Sequence, residues 1–351
     1  MNNRRQSNIE LLRIVSMFMI VSFHYIEYGV MRTDNADAYI RWYSGTIVNK
    51  LISSFFACGG DTGVGVFFII MGYFLFKRMD TKLPDSIIRK LYYYGWINAI
   101  VILLLRHYGH NEVAALSALR SLFLPISGST WWFASVYIIL LFLYPQINSL
   151  LNRIDDKRRY VTIIIIMWGI WYIGGKALDV MYYRILRGVF YYLIGTYIAK
   201  FDNKSKKLGY YMFGMSWIMY TLLTFLIGTI VGGGYHYFLL ANLFKLIRRT
   251  VLGPISAFGL FIVFKNRNSQ YSPTINRLAE GTFGIYLLHD APGIKVLLFD
   301  YIFKVSGISW ERAWFPLYMI FVVFIIMIIG LIVDEFQRYL DRRICRAVFN
   351  S

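Results

Sequence analysis

Residues 10–30 read ELLRIVSMFMIVSFHYIEYGV, and this stretch decides what kind of fold the chain adopts. Between Glu10 and Glu27 its only titratable side chains apart from Tyr25 are Arg13 and His24. A helix needs about 20 mainly apolar residues to cross the hydrocarbon core of a bilayer, and this run has that length. It is too long for the apolar part of a cleavable signal peptide, and no small-residue cleavage site follows it, so it is expected to stay as a membrane helix.

The same test applied along the chain marks ten apolar runs, at about 10–30, 62–78, 88–106, 131–150, 160–175, 186–200, 208–231, 250–265, 282–303 and 314–334. Tyr235 to Ile247 is expected as a half-buried or surface helix. The composition agrees. Of 351 residues, 58% are hydrophobic and only 16% charged, where soluble domains carry about 25% charged residues; the mean hydropathy is +0.51. A soluble enzyme is thereby excluded. The formal charge of +18 does not indicate nucleic-acid binding in such a chain. It reports orientation, because cytoplasmic connections collect Lys and Arg. With the N-terminus inside, the Lys and Arg of the connections divide 22 inside against 13 outside. The expected fold is therefore an all-α polytopic membrane protein of about ten transmembrane helices with both termini cytoplasmic. Residues 1–351 form one membrane domain with no appended soluble domain. The connections at 31–61 and 107–130 are expected to be external loops.

Ionisable side chains inside spans are costly and by default mark an interior cavity and function. Arg13 and His24 are eleven residues apart, almost three turns at 3.6 residues per turn, so they share a face about 16 Å apart along the axis. Glu10 lies on that same face and is placed to pair with Arg13. Imidazole titrates near neutral pH, which makes His24 a candidate general base and Arg13 a candidate anion-binding group. Topology anchoring by Glu10 and Arg13 and a plain interhelical hydrogen bond by His24 are the structural alternatives.

Four pieces in order resemble the integral-membrane acyltransferases known as the acyltransferase 3 family, which modify glycans of the cell envelope. They are Arg13 and His24 within ELLRIVSMFMIVSFH, the segment DTGVGVFFIIMGYFLFKR from Asp61 to Arg78, WWFASVYIILLFLYPQI from Trp131, with Tyr137 and Pro145, and TFGIYLLH from Thr282 to His289. Met71 stands where the family usually has serine, and Gly63 to Val66 replace the paired arginines of some members, so no donor contact is assigned there. The resemblance implies a multi-pass protein of the cell membrane that moves an acyl group, acetyl in the first instance, from cytoplasmic acyl-CoA to a hydroxyl of a surface polysaccharide or lipid-linked saccharide. It implies His24 and Arg13 as catalytic, and Glu10, Tyr73, Trp131, Tyr137, Tyr286 and His289 as donor- or substrate-binding residues. Acyl-CoA, preferably acetyl-CoA, is the expected co-substrate. The partners are a saccharide acceptor and the bilayer, with no nucleic acid and no metal.

Other features are read more plainly. Glu27 and Tyr28 follow His24 by three and four residues and either is placed to orient its ring or to anchor the helix end. His107, His110 and His236 read as external-loop residues and not as a zinc site. Gly59-Gly60 and Gly232–Gly234 read as helix-breaking turns at membrane edges, Asp155-Asp156 as a solvated pair, and Cys58 and Cys345 as incidental thiols. The competing class is a transporter or flippase that uses the same buried polar shaft for an anionic substrate. Such a protein would show paired broken helices in its two halves, and no internal symmetry is visible.

Overall fold

The computed structural model describes residues 5–30, 45–79, 85–126, 130–177, 179–201, 205–230, 243, 244, 246–268, 270–305 and 310–349. Among these, helices dominate and no strand occurs. The order is α1 (Ser7–Tyr25, continued by a π-helical turn at Ile26–Val30), α2 (Ile47–Ala57), α3 (Gly59–Leu75), α4 (Asp85–His107), α5 (Ala115–Phe123), α6 (Trp132–Asn152), α7 (Lys157–Ala177), α8 (Val180–Phe201) and α9 (Lys206–Ile230). Then come α10 (Gly253–Lys265, entered through a π-helical turn at Arg248–Leu252), α11 (Pro273–Glu280), α12 (Thr282–His289), α13 (Pro292–Val296, continued by Leu297–Ile302) and α14 (Phe315–Phe349). All ten apolar runs fall on these helices. Five stretches are long and apolar enough to cross a membrane: Ser7–Val30, Ile47–Leu75, Asp85–His107, Trp132–Asn152 and Phe315–Arg343.

The expected loop at 31–61 needs correction. Residues 31–44 lie outside the described residues, but Ile47–Ala57 is a helix, started by Thr46, whose hydroxyl accepts from the Asn49 amide at 3.1 Å. It leads through Cys58 directly into α3. Gly59-Gly60 is likewise not a break but the first turn of α3. A Cβ on Gly59 would lie 2.5 Å from the Met19 carbonyl oxygen of α1, so the glycine is there to let α3 and α1 touch. Small residues at such crossings are what membrane helices use for close backbone approach. The Gly232–Gly234 and His236 readings, and most of the Tyr235–Ile247 helix, fall outside the described residues.

The centre of the bundle is α1, which packs on α2, α3, α10, α11, α12 and α14. Beside it α3 and α8 cross with backbones in contact: a Cβ on Gly72 would lie 2.2 Å from the Tyr192 oxygen, and one on Gly195 2.2 Å from the Ile69 oxygen. Arg5, just before α1, and Arg338 of α14 meet at one end of the bundle. Glu280 takes Arg5 and Arg338 together, and the fully buried Asp334 of α14 holds Lys90 of α4 at 2.6 Å and Arg338 at 3.1 Å.

The run at 282–303 is a broken helix. His289 ends α12, Asp290 and Ala291 leave the helical path, and Pro292 starts α13 with its missing N–H at a position where none is needed. Backbone groups freed inside a membrane protein must find partners, and those of Gly293, Ile294 and Leu287 do so through side chains. Asn98 of α4 accepts from the Gly293 amide at 2.8 Å and from Ile294 at 3.4 Å, while its own amide donates to Ser121 of α5 at 2.7 Å. The Trp131 indole donates to the Leu287 carbonyl at 2.9 Å.

Candidate active site

Counting from Ser7, His24 lies 17 residues along α1, about 26 Å from the helix start, and so at the end of the bundle away from Glu280. There the stripe Met17, Ile20, His24 and Glu27 faces a cavity of about 680 Å³, within the usual range of small-ligand pockets. Its other walls come from α3 (Gly60, Asp61, Val64, Phe67), the start of α6 (Trp132, Phe133), α8 (Tyr183, Arg184, Arg187), Leu246 and Arg249, and the break in the helix (Tyr286, Asp290, Pro292, Lys295).

The break brings a second histidine to the first. His24 Nδ1 and His289 Nε2 are 2.8 Å apart, and His289 Nδ1 is 2.6 Å from the Ile285 carbonyl oxygen. These contacts fix the protons. A carbonyl only accepts, so His289 Nδ1 carries hydrogen; in the neutral ring its Nε2 is then a lone pair. The His24 nitrogen facing it must therefore be N–H. That leaves Nε2 as the basic nitrogen of His24, on the ring that lines the cavity. His289 itself is fully buried, so it acts on the cavity only through His24. Neither Glu27 nor Tyr28 bonds the His24 ring: Tyr28 donates to Asp290 at 3.3 Å and lies beneath the Lys295 ammonium, 4.1 Å from the ring centre.

The other expected site residues divide. Tyr286 lines the cavity and its hydroxyl accepts from the Phe133 amide at 3.3 Å, satisfying a free donor in the first turn of α6. Trp131 is fully buried and spends its N–H on α12, and the indole that lines the cavity is that of its neighbour, Trp132. Arg13 continues the His24 stripe one turn below Met17. It pairs with buried Glu10 at 3.7 Å, lies within electrostatic reach of Tyr137, and does not reach the cavity wall. Along the α1 stripe between Arg13 and His24 stand the apolar side chains of Met17 and Ile20, both of which line the cavity. Tyr73 lies farther off, in a second recess with Lys206, Lys207 and Lys265.

Several wall residues were not singled out by the sequence. Asp61 pairs with Arg187 at 3.0 Å and accepts from Tyr220 at 3.2 Å. Arg184 stacks over the Trp132 ring at 5.0 Å, and Arg249 stands near it. All three arginines sit at the edges of apolar runs, where they look like membrane-border charges. The one signal that pointed inward was Asp290-Ala-Pro-Gly293, a turn signature within an apolar run.

His24, on a helix long and apolar enough to cross a membrane, meets the buried His289 at the wall of a polar cavity. Residues 6–333 match the model of a family described as an acyltransferase domain. The chain belongs to this acyltransferase family. No curated protein and no solved structure matches it. The match runs from the N-cap of α1 into α14, so both halves of the histidine pair and every wall of the cavity lie inside the acyltransferase domain. The protein is a membrane acyltransferase.

Proposed function

We propose that the protein transfers an acetyl group from acetyl-CoA to a hydroxyl of a surface polysaccharide or lipid-linked saccharide, with His24 as general base. The observation that carries this reading is the His24–His289 contact of 2.8 Å at the cavity wall. An alcohol is a poor nucleophile at neutral pH unless its proton leaves during attack. His24 Nε2 takes that proton as the hydroxyl oxygen bonds to the thioester carbonyl carbon. The carbon–sulfur bond then breaks, and the thiolate receives the proton back from the imidazolium. His289 keeps His24 in the required tautomer throughout, as a positioning residue.

The ten apolar runs are proposed to span the cell membrane, with both chain ends cytoplasmic. The charge bias of the connections supports this, as does the meeting of Arg5 and Arg338 at Glu280. The cavity then faces the outer leaflet side and receives the acceptor, while CoA, with its phosphates, arrives from the Arg13 side. Arg13 with Glu10 is proposed to sit along the donor's path, one helical turn from Met17 at the cavity wall. The transporter reading loses ground because the family is one of transferases.

Replacing His24 with Ala tests the proposal. Acetyl content of the cell's glycans, read by NMR, should drop to the level of cells lacking the protein. Unchanged acetylation in His24→Ala would end this mechanism.

A further inference from the structure

The cavity holds more cationic side chains than the proposed reaction needs. Arg187 is occupied, by Asp61 at 3.0 Å. Lys295 lies over Tyr28 beside Asp290, on the His24 side. Arg184 and Arg249 remain. Both line the cavity, both are half-buried, and neither makes an ion pair among the described residues. They are also electrostatic neighbours, with Arg187 next in the row. Like charges held together in a half-buried wall repel one another, and removal from water makes that repulsion stronger. The Arg184 guanidinium carbon lies over the Trp132 ring, 5.0 Å from its centre, a cation–π contact that needs none of the N–H groups along its edge. Such an edge suits a carboxylate or phosphate, which it meets with two parallel hydrogen bonds. Of the remaining carboxylates of the wall, Glu27 lies within electrostatic reach of Arg249 and Lys295, and Asp290 within reach of Lys295 and Arg184, but neither closes to an ion pair with either arginine, and Asp290 accepts from Tyr28.

We propose that Arg184 and Arg249 form the seat for an anionic group on the acceptor saccharide, a carboxylate or a phosphate, and so hold the hydroxyl to be acylated against His24. This rests on the transferase reading for the identity of the hydroxyl, but the seat itself is a matter of binding. The acceptor class it selects is an acidic glycan, built from uronic acid or sugar phosphate units, in preference to a neutral one. A donor alone would not need this pair, because in the proposed topology the phosphates of CoA lie toward the opposite end of the bundle.

The test is a saturation-transfer NMR titration of the full chain in lipid nanodiscs with glucuronic acid, glucose 1-phosphate, methyl glucoside and CoA. At least one of the two anionic sugars should bind about tenfold or more tightly than methyl glucoside, and its affinity should fall as salt is raised while that of methyl glucoside stays level. Arg184→Gln and Arg249→Gln should each weaken the anionic sugar by about tenfold to a hundredfold, the range for a lost hydrogen bond to a charged group, with CoA binding unchanged. Arg184→Lys, which keeps the charge but not the fork, should fall between. Equal affinity for all three sugars in the unaltered protein, or anion binding indifferent to salt, would overturn the seat. So would variants that lose CoA and keep the sugar. Transfer is not needed for any of these readings: the seat fails or stands on binding, and the reaction fails or stands on His24→Ala.

Discussion

At the scale of single residues the proposed chemistry turns on which nitrogen of His24 is basic. The Ile285 carbonyl sets the His289 tautomer, and His289 sets that of His24. His289→Ala removes the acceptor for His24 Nδ1–H and frees the ring to rotate. The expected result is a fall in kcat of about a hundredfold, the scale of a base misplaced by about 1 Å, with little change in KM for the acceptor, because His289 does not reach the cavity. His289→Gln offers an amide oxygen to the same N–H and should recover part of the rate. Steady-state kinetics on the two variants separate this positioning role from a merely structural one, in which Gln and Ala would be equally poor. The spacing of Arg13 and His24 made one half of this centre legible from sequence. The other half, His289, is 265 residues away; it entered as a candidate only through the resemblance of TFGIYLLH, and since no periodicity connects residues so distant, its contact with His24 comes from the fold. Trp131 and Trp132 show the limit from the other side. Two adjacent indoles look alike in a sequence, yet one is consumed by a backbone carbonyl and the other faces the cavity.

At the scale of elements the interrupted helix is the feature that makes the site. An unbroken helix from Thr282 would carry Asp290 and Lys295 onward along its own axis; the break turns them into the cavity. Asn98 is what makes the break tolerable, since it takes both Gly293 and Ile294 amides at a fully buried position. Asn98→Ala leaves those donors and Ser121 without their buried partner, and the expected loss is about 1–3 kcal/mol, seen as a lower melting temperature of the detergent-solubilised protein. Asn98→Asp, which keeps an acceptor at the same reach, should lose less. Helices themselves were legible wherever an apolar run was long. The second helix was missed because Ile47–Ala57 is rich in polar residues such as Asn49, Lys50, Ser53 and Ser54, all buried. A helix that turns polar residues toward other helices does not announce itself by hydropathy.

Over the whole molecule, charge has two separate uses. At the end where Arg5 and Arg338 meet, Asp334 joins α14 to α4 through Lys90, and Glu280 joins the first and last segments. Asp334→Asn leaves Lys90, only 13% exposed, without its counter-ion, and should cost about 3–5 kcal/mol; chemical denaturation of the purified protein would show it. The double change Asp334→Asn with Lys90→Met should cost much less. At the opposite end the arginines stand around the cavity. A count of basic residues per connection adds both uses together, which is why Arg184, Arg187 and Arg249 weaken an orientation signal that the remaining loops carry clearly.

The crossing of α3 and α8 has a mechanical consequence. These helices touch backbone to backbone at Gly72 and Gly195, and Asp61 and Arg187 tie them again beside the cavity. A wall fastened at two points along its length cannot hinge. The compliance needed to admit a chain as bulky as the proposed glycan then falls to the facing wall, where α12 and α13 are separate pieces, α12 seated mainly on α14 and α13 on α4. Amide hydrogen exchange should accordingly be slowest in 59–75 and 186–201 and faster in 290–302, and a saccharide bound in the cavity should slow the latter most. The same interruption that delivers His289 to His24 would thus also be the door.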